Sequence, residues 1–341
     1  MPAPSKKLLV LRFSALGDVA MTVPVVRLLL AQHPTLEILF VSNKNFSPLF
    51  KGIERLEFLG ADFKGRHKGI LGIVKLFWDC RKKGSLMAVA DLHEVLRSKL
   101  LCFLFRTGLI PVQVIDKGRR EKKALTRNQD KVLKPLPSTF IRYANVFERL
   151  GLTLSISTEG SVQRVASQQK KGWKIGIAPF AQYREKTYPA PLMKQAILQL
   201  QQSLGATIFL FGAPGAEASV LTEWEQELPG VVNRAGVQSF ADELAEIASL
   251  DAMVTMDSAN MHLASLYNVP VISIWGATHP YAGFMGWQQG PERAVQSNLS
   301  CRPCSVFGNK ACYRGDWACM NQISPAVIVS KVQEVLMLQR S

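Results

Sequence analysis

The stretch from Asp251 to Pro280, DAMVTMDSANMHLASLYNVPVISIWGATHP, limits the fold more than any other part of the chain. Ala252–Met256 is a short apolar run with β-branched residues, the pattern of a buried parallel strand. Asp257 and Ser258 follow at its carboxyl end, and either residue type can cap a helix. Residues 259–267 read as that helix, with Asn268 suited to its end. A second buried strand, Val271–Trp275, follows, and Gly276-Ala277-Thr278-His279-Pro280 makes a loop. A strand, a polar turn and a helix N-terminus together form an anion site, because orphan N–H groups and the helix dipole meet there. The plainer reading is a generic α/β strand–helix–strand unit with a capping aspartate.

The amino-terminal residues begin in the same way. KLLVLRF, residues 7–13, is a buried strand; a turn through Gly17 and Asp18 follows, then a helix over 19–31 with Pro24 in its early part and a strand over 37–41. This is how a doubly wound α/β domain opens. The three glycines of a dinucleotide fingerprint are missing, which argues against a nicotinamide cofactor. Asp18 either caps the helix or faces the ligand crevice at the strand's carboxyl end, where it can accept a proton. Strands are expected over 53–59, 86–91 and 110–115, with helical spacing over 70–83. His93 follows its strand at the same edge as Asp18, either as an acceptor contact or as a structural histidine.

A weakly patterned stretch ending in Gln168-Gln169-Lys170-Lys171 places a domain boundary near residue 165, giving domains 1–165 and 166–341. The second opens with a strand over 173–178 and a polar loop to Lys186. A helix over 191–203, a strand over 207–211 and a loop to Glu217 come next. Glu217 can equally complement the start of a helix. A capping pattern, Ser239-x-x-Asp242, starts another helix, and residues 324–339 form the last one.

Lys and Arg number 41 against 26 Asp and Glu, a formal charge of +15, which fits an anionic partner. No nucleic-acid-binding signature accompanies the charge, so none is expected as partner. No targeting segment is evident, and no apolar run reaches the roughly 18–20 residues of a spanning helix. The expected location is cytoplasmic. Residues 116–134 concentrate basic side chains, including Arg119, Arg120, Lys122 and Lys123; Lys64, Arg66, His67 and Lys68 make a smaller basic loop. Each is either a contact for lipid phosphates or a solvated surface. Cys301, Cys304, Cys312 and Cys319 have spacing compatible with structural zinc, with free thiols or with two disulfides.

Taken together, the motifs resemble glycosyltransferase family 9, the lipopolysaccharide heptosyltransferase family. Its D-S/T-G-x-x-H-L-A-type segment reads here Asp257-Ser258-Ala259-Asn260-Met261-His262-Leu263-Ala264, with Ala259 where the family usually has glycine. Its G-x-T-x-P loop is Gly276 to Pro280, and its S-x-x-G-D segment is Ser14-Ala15-Leu16-Gly17-Asp18. Lys186 before Tyr188-Pro189 matches a lysine ahead of a W-P-like pair, although Phe180 and Ala181 replace small hydroxyl residues often found there.

The resemblance implies an α/β GT-B architecture, two Rossmann-like doubly wound domains facing across a cleft, with the last helix crossing back to the first domain. It implies Asp18 as general base, with Ser14, Gly17 and His93 on the acceptor side. Lys186 would stabilise the departing diphosphate. Glu217, Asp257, Ser258, Ala259, Asn260, Met261, His262 and Thr278 would hold the donor. The activity implied is inverting heptose transfer from ADP-heptose to a phosphorylated, lipid-linked lipopolysaccharide inner-core acceptor, with no cofactor and no catalytic metal. The protein would sit peripherally on the inner-membrane surface, with Arg119, Arg120, Lys122 and Lys123 near lipid phosphates. Two alternatives stay open: another nucleotide-sugar donor on the same fold, and a non-catalytic basic module binding acidic lipid or nucleic acid.

Overall fold

The computed structural model describes residues 7–156 and 172–339. They divide into two compact units, one reaching to Lys117 and resuming at Thr139, the other containing Gly118–Ser138 and the carboxyl-terminal half.

The first unit carries five parallel strands: β1 (Lys7–Leu11), β2 (Glu37–Asn43), β3 (Leu56–Ala61), β4 (Leu86–Asp91) and β5 (Val112–Val114). Their order is β3-β2-β1-β4-β5. The second carries β6 (Lys174–Ala178), β7 (Thr207–Leu210), β8 (Val231–Asn233), β9 (Ala252–Met256), β10 (Val271–Trp275) and β11 (Ala294–Gln296), ordered β11-β10-β9-β6-β7-β8. In each sheet the chain winds outward one way, then returns to the other side of its first strand. The switch points lie between β1 and β4 and between β6 and β9, where doubly wound sheets bind ligands. β1, β9 and β10 are buried almost throughout, as expected of parallel strands covered on both faces.

Several expectations need correction. The helix expected over 19–31 is two, Leu16–Ala20 and Thr22–Gln32, so Asp18 lies inside a first helical turn. The basic stretch was expected in the first domain. Gly118–Ser138, with Arg119, Arg120, Lys122 and Lys123, instead belongs to the second unit. Its internal contacts explain why: Lys131 Nζ donates to the carbonyls of Ser300, Cys301 and Arg302 at 2.9–3.1 Å. Leu136 N–H donates to Tyr281 O at 2.9 Å, and the Lys122 ammonium lies 4.2 Å from the centre of the Phe284 ring. The last helix is Pro325–Met337. Ile328, Val332 and Leu336 on its apolar face belong to the second unit's core. The boundary expected near residue 165 lies outside the described residues. β11 is an element the sequence reading did not give, and the helix whose start Glu217 was read as able to complement is Ala216–Glu227.

Candidate functional site

Chemically useful side chains gather at both switch points. In the first unit, Arg12 directly follows β1 and is buried. Its guanidinium forms an ion pair with the Asp18 carboxylate and donates to Leu92 O at 2.7 Å. A bound guanidinium orients the carboxylate, whose side chain remains 35% exposed and therefore reachable by a hydroxyl. Tyr143, fully buried, donates from its hydroxyl to Asp18 O at 3.2 Å. Ser14 is exposed and Gly17 half-buried on the same turn.

His93 follows β4. Its N–H donates to Asp91 Oδ1 at 2.9 Å, and its Nδ1 accepts from Phe13 N–H at 3.3 Å, which leaves the ring proton on Nε2. Burial, aided by the Arg12 charge, lowers its pKa to about 3. In the second unit, burial and the nearby Arg302 lower His279 to about 4. Both rings are thus neutral in the folded chain at pH 7, whereas an unfolded histidine titrates near 6.5. Their contribution to stability is complete above pH 6.5 and is lost as the pH falls from there towards 4 and 3, because only the unfolded chain then takes up the protons. Between pH 7.5 and pH 5, His93 alone is expected to cost about 2 kcal/mol of stability. Urea melts at the two pH values measure this loss, and His93→Gln should reduce it.

In the second unit, Lys186 on the loop after β6 meets Asp257 after β9, with Nζ and Oδ2 3.1 Å apart. Both side chains are largely enclosed, at 14% and 7% exposure, so Lys186 is not a solvated surface lysine. Gly308 lies against it: a Cβ there would come within 2.4 Å of the lysine stem. Asp257 leads into Ser258 and the helix Ala259–Leu266, and Ser258 Oγ shares a 3.1 Å hydrogen bond with Thr255 Oγ1. Asn260 is half-buried. Met261 is fully buried and His262 nearly so. The Met261 side chain therefore fills the interior, and what the helix start offers there is backbone N–H.

The loop after β10 is held from behind. Arg302 is buried and donates to the carbonyls of Trp275, Gly276 and Thr278 at 2.6–3.0 Å, and to Ser297 O at 2.5 Å. Gly276 permits the loop's close approach to the Lys186 loop, since a Cβ would lie 2.8 Å from Glu185 O. Thr278 is completely buried, and its Oγ1 has no hydrogen-bond partner. Glu217, half-buried, accepts from Ala213 N–H at 2.7 Å and braces its own loop. Cys301, Cys304, Cys312 and Cys319 line one small cavity behind these loops as free thiols. Among the described residues no three His, Cys, Asp or Glu side chains are grouped as a metal ion requires.

Of the basic stretch, Arg119, Arg120 and Lys123 are exposed on the helix Arg119–Leu125, while Lys122 is buried. Among the described residues no helix is long and apolar enough to cross a membrane.

Sequence reasoning missed Arg12 and Arg302. Arg12 left a signal, a charge interrupting an apolar strand run. Arg302 left none, because its role depends on carbonyls brought together by folding.

Two doubly wound parallel-sheet units, each with polar side chains at its switch point, define the GT-B class of α/β proteins. The sequence profile of Glycosyltransferase family 9 (heptosyltransferase) matches residues 82–312, and the chain belongs to that family. Lipooligosaccharide heptosyltransferase 2 of Campylobacter jejuni serotype O:6 is 26% identical over 175 residues, 49% of this chain and 52% of that protein. The chain thus spans about half the length of the curated relatives it matches. A family 9 glycosyl transferase from Veillonella parvula shares the fold with a TM-score of 0.77 at 18% identity, covering 99% of each chain. The E. coli heptosyltransferase WaaC with ADP does so with a TM-score of 0.69 at 17% identity, covering 96% of this chain and 99% of the other.

Proposed function

We propose that this protein is a heptosyltransferase of lipopolysaccharide or lipooligosaccharide core assembly, moving heptose from ADP-heptose with inversion of the anomeric carbon. The observation that carries the reading is the enclosed Lys186–Asp257 pair at the second switch point, beside the start of the helix Ala259–Leu266. An enclosed ammonium and converging backbone N–H groups suit a diphosphate whose negative charge grows as the sugar leaves. Thr278 Oγ1, buried and unpartnered, is a further donor near that loop.

In the reaction, Asp18 accepts the proton of an acceptor hydroxyl as that oxygen attacks the anomeric carbon. The bond from that carbon to the diphosphate oxygen breaks, and the electron pair leaves on ADP. Arg12 holds the Asp18 carboxylate in place. Lys186 and the helix start take the role that a divalent metal has in other transferases. The acceptor is a phosphorylated, lipid-linked saccharide, met at the cytoplasmic face of the inner membrane.

Calorimetric titration with ADP, GDP, UDP and CMP, with and without magnesium, tests the donor. ADP binding without metal is the expected result. Selective GDP or UDP binding would keep the transferase and replace the donor, for which Ala259, Phe180 and Ala181 leave room. Absence of binding by all four nucleotides would sink the reading.

A further inference from the structure

We propose that the outer face of two neighbouring helices in the first unit, Gly69–Arg81 and Leu96–Thr107, docks the protein on an anionic lipid bilayer. Each helix is apolar on two opposite sides. The inward side of the first carries Ile73, Leu76 and Cys80, and that of the second carries Leu101, Cys102 and Phe105; all six are buried in one core. The rings of Phe77 and Phe105, 4.8 Å apart, join the two helices side by side.

Opposite these core faces, Leu71 and Trp78 recur at i, i+7 on the first helix, and Leu96 and Phe103 do so on the second. All four are more than half exposed, as are Ile70 and Leu109 at the helix ends. Seven residues are nearly two helical turns, so each pair forms one outward stripe. Exposed large apolar side chains recurring on adjacent helices exceed the scattered ones normal for a surface.

Charge chooses the occupant. Exposed Lys75, Arg81, Lys82, Lys99 and Arg106 flank the stripes. The acids on these helices and their connection are few and engaged. Asp79 is paired with Arg66 and His67, Asp91 is buried beneath Ser98, and Glu94 lies 3.7 Å from Lys99. A second copy of the same surface would set these positive rims against each other. A bilayer with anionic headgroups accepts both features, taking the apolar side chains at the acyl boundary and the basic ones at the phosphates.

The assignment shares with the transferase reading only the expectation of a membrane-borne acceptor. Vesicle binding needs no nucleotide, so each can fail without the other. The test is co-sedimentation of the full chain with vesicles of phosphatidylethanolamine and phosphatidylglycerol, and with vesicles of phosphatidylcholine alone. The protein should bind the anionic vesicles and leave the neutral ones largely unbound. Leu71→Gln, Trp78→Gln, Leu96→Gln and Phe103→Gln together should lower binding roughly tenfold. Lys75→Glu, Lys99→Glu and Arg106→Glu together should lower it by a similar factor and remove its salt dependence. Unchanged thermal melting establishes that each variant is folded. The proposal is overturned if the wild-type chain ignores anionic vesicles, or if the glutamine variant binds as well as wild type. It is also overturned if Arg119→Glu, Arg120→Glu and Lys123→Glu alone abolish binding, or if the glutamine variant instead abolishes a dimer seen by sedimentation velocity.

Discussion

Asp18→Asn is expected to lower the turnover of sugar transfer about a thousandfold and to leave ADP affinity within a factor of two. The size follows from general-base catalysis, which typically contributes 10²- to 10⁴-fold. Asparagine keeps the shape and can still accept a hydrogen bond from Arg12, but it has no basic oxygen to take the hydroxyl proton. ADP affinity should be preserved because the groups proposed to hold the donor, Lys186, Asp257 and Thr278, all belong to the second unit, whereas Asp18 belongs to the first. Steady-state kinetics with ADP-heptose and a lipid-linked core acceptor, paired with calorimetry, gives both numbers. Turnover within tenfold of wild type would assign the proton to another group and leave Asp18 as the partner that positions Arg12.

The second large effect is at Lys186. Removing it takes away the ammonium proposed to face the diphosphate and also leaves Asp257 as an enclosed carboxylate without its partner. The first loss is expected to weaken ADP binding by about 2–3 kcal/mol, roughly 30- to 150-fold. The second is expected to destabilise the fold by about 3–5 kcal/mol, the usual consequence of breaking an enclosed pair from one side. The double variant Lys186→Met, Asp257→Asn separates them. It should recover most of the stability, read by urea denaturation, and none of the ADP affinity, read by calorimetry. Recovery of affinity along with stability would make the pair a structural link and move the diphosphate elsewhere.

These two residues also show what was legible in the chain. Parallel strands covered on both faces are continuous apolar runs, so β1, β9 and β10 stand out, and polar residues just beyond them stand where crevices form. That logic singled out Asp18 and Asp257, whereas Lys186 came from the resemblance to the family's lysine ahead of a W-P-like pair. The partner of Asp18 was missed because Arg12 read only as an interruption. Arg302 was invisible for a deeper reason: its carbonyl partners lie between Trp275 and Ser297 and converge only after β10 and its loop have formed. Residues 118–138 misled because a run of charge looks solvated. Lys122 instead covers an aromatic ring and Lys131 ties three successive carbonyls, and neither partner is nearby in the chain.

The excursion of Gly118–Ser138 also bears on how such a protein can be recombined. A single crossover between two family members, placed between Ser138 and Ser300, would pair the excursion of one parent with the Ser300–Arg302 carbonyls of the other. Functional chimeras should therefore arise when residues 118–138 travel with the carboxyl-terminal half, as a two-segment exchange, and fail when the halves are swapped at one junction. Natural exchange of donor specificity between relatives would face the same restriction, so the two segments are expected to share one ancestry.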